Sequence, residues 1–353
     1  MPSANLVIQT AFLGDLILSV PVLKRIKHLF PQDRLIVVCK KGIGEFLVKN
    51  HIVDQIIEIE KSNSATYRQA LKALEPYHVN HLFCLHRSVR SQLFSARVKA
   101  RRKIGFYSFL GFWIFDEMVE HVSENPEVLR QFRILQPIDP ETDMNFTRSS
   151  FEYLNEVAVD GSMPTVPGFF AFPRVSEVKK SLSEKTRIAI FPGSVWATKQ
   201  WTKEGFVALV QHFISMGYEV DLMGGPAEKP LCDEIADLSG VTVNVLAGKL
   251  SVADSIEALK HYDLIVSNDS ASTHMASLNA RPVVSIFGPT VLSMGFRPWS
   301  SRLRIVENLE MNCRPCGRHG HRQCPLKHHL CMKLIEAPQV FAKAQELLRE
   351  VSS

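Results

Sequence analysis

Residues 187–194 read Arg-Ile-Ala-Ile-Phe-Pro-Gly-Ser. A short apolar run that stops at Pro-Gly-Ser is the pattern of a buried strand running out into a loop. The pattern recurs downstream. Residues 218–223 end in Gly224-Gly225-Pro226, 264–267 in Asn268-Asp269-Ser270, and 283–287 in Gly288-Pro289-Thr290. A further run at 241–246 reads as a strand. Between these runs, apolar residues return at helical spacing over 203–216, 227–238, 251–261 and 272–279, with a last helix over 338–350. Gly217 is placed to cap the first of these helices and Ser251, with Asp254 three residues on, to open the third. Strands alternating with helices predict a parallel sheet with right-handed crossovers.

The first half follows the same rhythm. Strands are expected at 5–10, 34–39, 55–59 and 79–85, with helices at 16–30, kinked at Pro21, and at 64–75. The rhythm weakens over 105–175, where Pro126, Pro137, Pro140, Pro164, Pro167 and Pro173 fall. This stretch reads as a linker, with the domain boundary near 170. A chain of 353 residues suits two domains, 1–170 and 171–353.

Ligands of open α/β sheets bind beyond the carboxyl ends of the strands. The second half places four small-residue turns at those ends, where the backbone can approach a diphosphate and helix N-termini can hold it. Gly and Pro also punctuate ordinary α/β loops. No Gly-x-x-x-x-Gly-Lys-Ser/Thr is present, and the first turn, Ala11-Phe12-Leu13-Gly14-Asp15, lacks Gly-x-Gly-x-x-Gly. A P-loop ATPase and a dinucleotide enzyme are thereby disfavoured. A cation at Lys199 could neutralise a diphosphate leaving group. A carboxylate at Asp15 could act as a general base, or cap a helix.

The net charge of +5 is too small to argue for nucleic acid. Its distribution says more. Arg87, Arg90, Arg97, Lys99, Arg101, Arg102 and Lys103 fall together with no acid among them. Such a stretch attracts anionic surfaces or ligands, or solvates a helix face. The aromatic stretch 106–115 is expected to pack as a loop, with contact to a membrane surface as the alternative. No run approaches the ~20 apolar residues that span a bilayer, and residues 5–10 read as a strand in place of a signal segment. The expected location is cytoplasmic, or peripheral on the inner face of the cytoplasmic membrane.

Four of the seven cysteines cluster as Cys313-x2-Cys316-x7-Cys324-x6-Cys331, with His319, His321, His328 and His329 interleaved. The spacing suits a structural zinc or iron–sulfur site; reduced, packed thiols are the other reading.

Taken together, these residues resemble the family 9 glycosyltransferases, the ADP-heptose:lipopolysaccharide heptosyltransferases. The resemblance rests on Gly14-Asp15 with Ile17-Leu18-Ser19-Val20-Pro21, on His86-Arg87-Ser88-Val89-Arg90-Ser91, and on Pro192-Gly193-Ser194 with Lys199-Gln200-Trp201. It continues through Asn268-Asp269-Ser270-Ala271-Ser272-Thr273-His274-Met275-Ala276 and Phe287-Gly288-Pro289-Thr290. It implies an α/β protein of the GT-B fold, two Rossmann-like domains facing across a cleft, the first binding acceptor and the second nucleotide sugar. The implied reaction is inverting, metal-independent transfer of heptose from ADP-heptose to the lipopolysaccharide inner core, with no cofactor. The implied partners are the ADP-sugar donor, the anionic lipopolysaccharide-core acceptor and the inner membrane surface, and no nucleic acid. By position, Asp15 becomes the base and Lys199 the diphosphate-binding lysine. Ser194, Val195, Asp269, Ser270, Ala271 and His274 line the donor phosphates, and Glu228 and Leu250 lie near the adenosine. Arg87 and Arg90 hold the acceptor. The family usually has Gly where this chain has Ala271, whose Cβ would narrow the phosphate approach and oppose a positive φ. Another nucleotide sugar, and a non-catalytic nucleotide-binding protein of the same fold, remain alternatives.

Overall fold

The computed structural model describes residues 1–140, 185–300 and 302–352. The chain forms two compact units, whose described residues are 1–140 and 185–352. The boundary expected near 170 lies outside the described residues, as do Pro164, Pro167 and Pro173.

Among the described residues the first unit holds six strands: β1 (Ser3–Gln9), β2 (Arg34–Lys40), β3 (Gln55–Ile59), β4 (His78–Cys84), β5 (Ala100–Phe106) and β6 (Glu117–Val119). Their order is β3-β2-β1-β4-β5-β6, and every pairing is parallel. The chain steps outward from β1 to β3, then returns to lay β4 against β1. That reversal leaves a crevice beyond the carboxyl ends of β1 and β4, the switch point where open sheets bind ligands. The loops that open there carry Asp15 and His86-Arg87.

The second unit repeats the plan. Its strands are β7 (Arg187–Phe191), β8 (Glu219–Leu222), β9 (Asn244–Val245), β10 (Leu264–Asn268), β11 (Val283–Phe287) and β12 (Leu303–Glu307). The order β12-β11-β10-β7-β8-β9 puts the switch point between β7 and β10. The loop after β7, carrying Ser194 to Lys199, therefore lies beside the Asp269-Ser270 turn after β10. Both strands are buried almost throughout, so their apolar runs have no polar face. Ile188, Ile190, Val266 and Val284 pack against Phe206 and Phe213, and against Val340, Ala344 and Leu347 of the last helix, Ala337–Ser352. Each such burial contributes about 1.5–3 kcal/mol.

Three local expectations change. The helix expected over 16–30 is two helices, Leu13–Leu18 and Val20–Leu29, broken at Ser19, whose hydroxyl bonds the Leu16 carbonyl at 2.6 Å. Pro21 stands in the first turn of the second helix, where its missing N–H leaves no bond unmade. The basic stretch 87–103 is not one helix face: it divides between the helix Val89–Arg97 and β5. The patterning of β5, Ala-Arg-Arg-Lys-Ile-Gly-Phe, hides a strand because its polar half is satisfied by partners. The Arg102 guanidinium, for example, donates to Glu117 Oε2 at 2.8 Å on the neighbouring β6. Finally, the aromatic stretch 106–115 is only partly packed. Phe106 and Phe115 are buried, whereas Tyr107, Phe109, Phe112 and Trp113 are exposed. Among the described residues no helix is long and apolar enough to cross a membrane.

Candidate active site

The second unit gathers three strand-end turns around one carboxylate. Asp269 follows β10 and is 4% exposed. Its Oδ2 accepts from Lys199 Nζ at 2.6 Å and from Thr290 Oγ1 at 2.5 Å, uniting the turns after β7, β10 and β11. Asn268 completes the stitching. Its side-chain N–H groups donate to the Pro192 and Gly193 carbonyls at 2.8 and 3.3 Å, and its Oδ1 accepts from the Trp201 N–H at 2.9 Å. The 192–201 loop is thus tied at both ends to β10.

Beside this cluster the helix Ala271–Leu278 begins, with Ser270 at its N-cap. The Ser270, Ser267 and Ser272 hydroxyls bond one another, Ser270 to Ser272 at 2.6 Å and Ser267 to Ser272 at 2.5 Å. Among the described residues no side chain caps the first turn, where the Thr273 N–H bonds the Ser270 carbonyl at 3.2 Å, so the N-terminal end of the helix is open to an anion. Ala271 is the first helical residue and is not among the residues of positive φ. The backbone conflict expected from its Cβ does not arise, because a helical φ suits Ala as well as Gly. His274 is buried in the same helix, and its Nδ1 makes no hydrogen bond among the described residues. Burial pushes its pKa down to about 4 and nearby Lys199 adds to this, against Asp269, so the ring is neutral near pH 7.

Ser194 Oγ accepts from the Trp196 N–H at 3.3 Å, and Val195 stands 77% exposed at the tip of the loop. Glu228 reaches back over the turn after β8, where its Oε2 accepts from the Gly225 N–H at 2.6 Å. It lies so close to Gly193 that a Cβ there would stand 2.4 Å from Glu228 Oε1. Leu250 is half-buried after β9.

One set of partners was not legible in the sequence. The cysteine-rich segment wraps the Lys199 turn. Thr198 Oγ1 donates to the His321 carbonyl at 2.8 Å and accepts from the His321 N–H at 2.7 Å, and the His329 ring meets the Thr198 carbonyl at 2.8 Å. Arg314 donates to the Thr290 carbonyl at 2.8 Å, and Trp196 stacks on His319 at 6.0 Å. The interleaved histidines were the available signal, but their spacing pointed toward metal ligation. Cys331 is buried, the other three thiols of the segment are partly exposed, and all are free. Among the described residues no group of three or more His, Cys, Asp or Glu side chains is arranged to hold a metal ion.

In the first unit, Asp15 lies in the first turn of the helix Leu13–Leu18. Its Oδ2 accepts from the Phe12 N–H at 3.2 Å, so it does cap its helix. Burial, reinforced by the Glu127 carboxylate, raises its pKa to about 7. The Phe12 and Asp15 N–H groups and Lys61 pull the other way. Glu127 is itself raised, chiefly by burial, against the bonds that hold it: Gln131 Nε2 at 2.9 Å and Arg130 Nη1 at 3.2 Å. Gln131 also donates to the Asp15 carbonyl at 3.1 Å. The motif reading missed Glu127 and Gln131, which sit more than a hundred residues away in sequence. Next to this turn, the His86 ring bonds Thr10 Oγ1 at 2.8 Å, and burial drives its pKa down to about 4. Arg87 and Arg90 are exposed, and Arg90 Nη1 donates to the Lys61 carbonyl at 2.8 Å. A cavity of about 490 Å³ lies between the helices Ser64–Leu74 and Val89–Arg97, with Lys61, Arg68, Arg90 and Arg97 on its walls and Tyr67 and Phe94 among its apolar lining.

Over 170 residues the chain is 30% identical to lipooligosaccharide heptosyltransferase 2 of Campylobacter jejuni, covering 47% of this chain and 52% of that one. The chain thus spans about half the length of that relative. It is 23% identical to lipopolysaccharide heptosyltransferase 3 of Escherichia coli over 353 residues, covering 96% and 97% of the two chains. The solved structure of E. coli ADP-heptose lipopolysaccharide heptosyltransferase II superposes with a TM-score of 0.72 at 17% identity, covering 99% of this chain and 100% of that one. The fold is therefore GT-B, with a Rossmann-like sheet in each unit. The profile of glycosyltransferase family 9 (heptosyltransferase) matches residues 68–329, most of the chain, which places this protein in that family.

Proposed function

We propose that this protein transfers heptose from ADP-heptose to a hydroxyl of the lipopolysaccharide inner core, with inversion at the anomeric carbon and without a catalytic metal. The observation that carries the reading is the Lys199–Asp269–Thr290 cluster beside the open N-terminus of the helix Ala271–Leu278.

The donor diphosphate sits at that helix N-terminus, against Ser194, Val195 and Ser270, with Ala271 and His274 beneath it. As the anomeric C–O bond to the diphosphate breaks, negative charge grows on the leaving oxygen. Lys199 and the backbone N–H groups offset it in a partly dry site, which is the work a metal would otherwise do. Asp269 holds Lys199 in place. Glu228 and Leu250 contact the adenosine. The acceptor oxygen attacks the anomeric carbon from the side opposite the leaving group while Asp15 takes its proton. A carboxylate with a pKa near 7 is matched to that task near neutral pH. Arg87 and Arg90, with the basic cavity beside them, hold the phosphates and acidic sugars of the acceptor. The acceptor is a glycolipid, so the enzyme works at the inner face of the cytoplasmic membrane as a peripheral protein.

The test is ADP release from ADP-heptose with a Kdo-bearing lipid A acceptor, wild type beside Asp15→Ala. Acceptor-dependent release that collapses in the variant is expected. ADP binding without release would move the reading to another donor or to a non-catalytic nucleotide-binding protein.

A further inference from the structure

The loop after β5 exposes more aromatic surface than a buried or solvated loop needs. Within 107–113, Tyr107 is 53% exposed, Phe109 86%, Phe112 69% and Trp113 85%. Single exposed apolar residues are ordinary, but four aromatics within seven residues form a patch that water disfavours. The presentation is built. Ser108 Oγ donates to Gln92 Oε1 at 2.9 Å and accepts from the Gly111 N–H at 3.0 Å. The Phe115 N–H bonds the Gly111 carbonyl at 2.9 Å, and the Tyr107 N–H bonds the Val119 carbonyl at 3.0 Å. Phe115 turns inward, and a Cβ at Gly105 would stand 2.3 Å from its ring. The knuckle keeps one aromatic for the core and holds the others outward.

Its surroundings decide what would cover it. All strands of the unit are parallel, so the loops after β1, β2, β3, β4 and β5 share one edge. That edge carries Lys40, Lys61, Arg87 and Arg90, with Phe12, 50% exposed, under the Lys40 and Lys61 ammonium groups at 6.0 and 5.6 Å. No Asp or Glu occurs from Arg87 through Phe115. Three carboxylates near this edge are engaged, Glu60 with Lys41 at 2.7 Å, Glu58 with the Gly42 N–H at 2.9 Å and Asp116 with the Lys103 N–H at 2.7 Å, whereas Glu120 and Glu124, after β6, are exposed, Glu120 lying 3.9 Å from Arg133. Exposed Trp and Phe side chains on the same edge as these cations match the interface of an anionic bilayer, where rings settle at headgroup level and cations meet lipid phosphates.

We propose that the 107–113 knuckle is the membrane-docking surface of this protein, inserting Phe109, Phe112 and Trp113 among the headgroups of an anionic phospholipid bilayer. It deepens the peripheral-membrane part of the functional reading and rests on it only for the acceptor being a glycolipid. Docking by this edge brings Asp15 and Arg87 to the headgroup layer, where the sugars of such an acceptor stand.

The test compares wild type with the triple variant Phe109→Ser, Phe112→Ser, Trp113→Ser. Both are sedimented with phosphatidylglycerol-containing and with pure phosphatidylcholine vesicles. Wild type should partition onto the anionic vesicles, and the variant's partition coefficient should fall roughly tenfold or more. The variant's melting temperature should be unchanged, since these rings make no core contacts. Turnover of a deacylated, water-soluble acceptor should stay within about twofold of wild type, while turnover of vesicle-embedded acceptor falls about tenfold. Equal sedimentation of variant and wild type, or none of wild type, overturns the proposal. So does a concentration-dependent dimer that the variant abolishes, because the patch would then bind a second copy. Vesicle binding that needs the knuckle, in a protein that turns over no soluble acceptor, would sink the enzymatic reading and leave the docking surface standing.

Discussion

Lys199 and Asp269 form a mostly enclosed ion pair, Nζ to Oδ2 at 2.6 Å, with side-chain exposures of 12% and 5%. The two residues are 70 positions apart and meet because β7 and β10 are neighbours at the point where the strand order reverses. A lysine held this way loses less conformational freedom when an anion arrives than one sampling solvent, and the carboxylate keeps it aimed.

Removing one partner should expose the cost of burying the other. Asp269→Ala leaves Lys199 and the Thr290 hydroxyl without their acceptor. Chemical denaturation should show a loss of about 3–5 kcal/mol. Lys199→Ala should lower kcat by about 10²–10³ if the lysine acts on the leaving group. A rise in donor KM alone, at unchanged kcat, would assign it to ground-state binding only.

The raised pKa of Asp15 predicts a pH dependence in two observables. A base must be deprotonated to act, so kcat/KM should rise with pH through about 7. Stability should move the other way. The folded state holds the Asp15 proton more tightly than the unfolded chain does, so this group's contribution is fullest below about pH 4 and is lost as pH rises through about 7. Asp15→Asn keeps an acceptor for the Phe12 N–H and removes the buried charge. It should be inactive, yet more stable than wild type at pH 8 by on the order of 1–3 kcal/mol, read from urea midpoints.

Glu127 reinforces that shift, so Glu127→Gln should lower the acidic limb of the pH–rate profile. Burial remains the larger cause, so the limb should move only part of the way back toward an ordinary carboxylate. A limb that stays in place while kcat falls would mean that Glu127 acts only through packing.

Gly193 is required for space. Its added Cβ would fall 2.4 Å from Glu228 Oε1, and Glu228 is held by its bond to the Gly225 N–H. Gly193→Ala should cost about 1–3 kcal/mol and raise the donor KM. Adding Glu228→Ala should recover most of the stability and little of the donor affinity, a split that thermal melts and initial-rate kinetics can separate.

The strand-end turns of the second half were readable because each buried strand is a continuous apolar run closed by small residues, and that pattern is local. β5 and β6 were not readable, since their polar residues reach strand conformation only by pairing with each other, as Arg102 does with Glu117. The helix break at Ser19 likewise depends on one hydroxyl bonding a carbonyl three residues back. Candidate residues quoted from the motifs do come together where a single unit contains them, as Ser194, Lys199, Asp269 and Ser270 do. The Thr198–His321 bonds and the approach of the Glu127 carboxylate to Asp15 had no local signal.

The sequence by itself determined the alternation of strand and helix, the small-residue turns, and which residue types stand at them, because periodicity and backbone preference act within a few residues. Tertiary structure alone decided which turns share a switch point, that Lys199 is paired with Asp269, that Asp15 is raised to about 7, and that Phe109 and Trp113 face outward. Each of these depends on burial and on charges brought together from distant positions, and neither exists until the chain has packed.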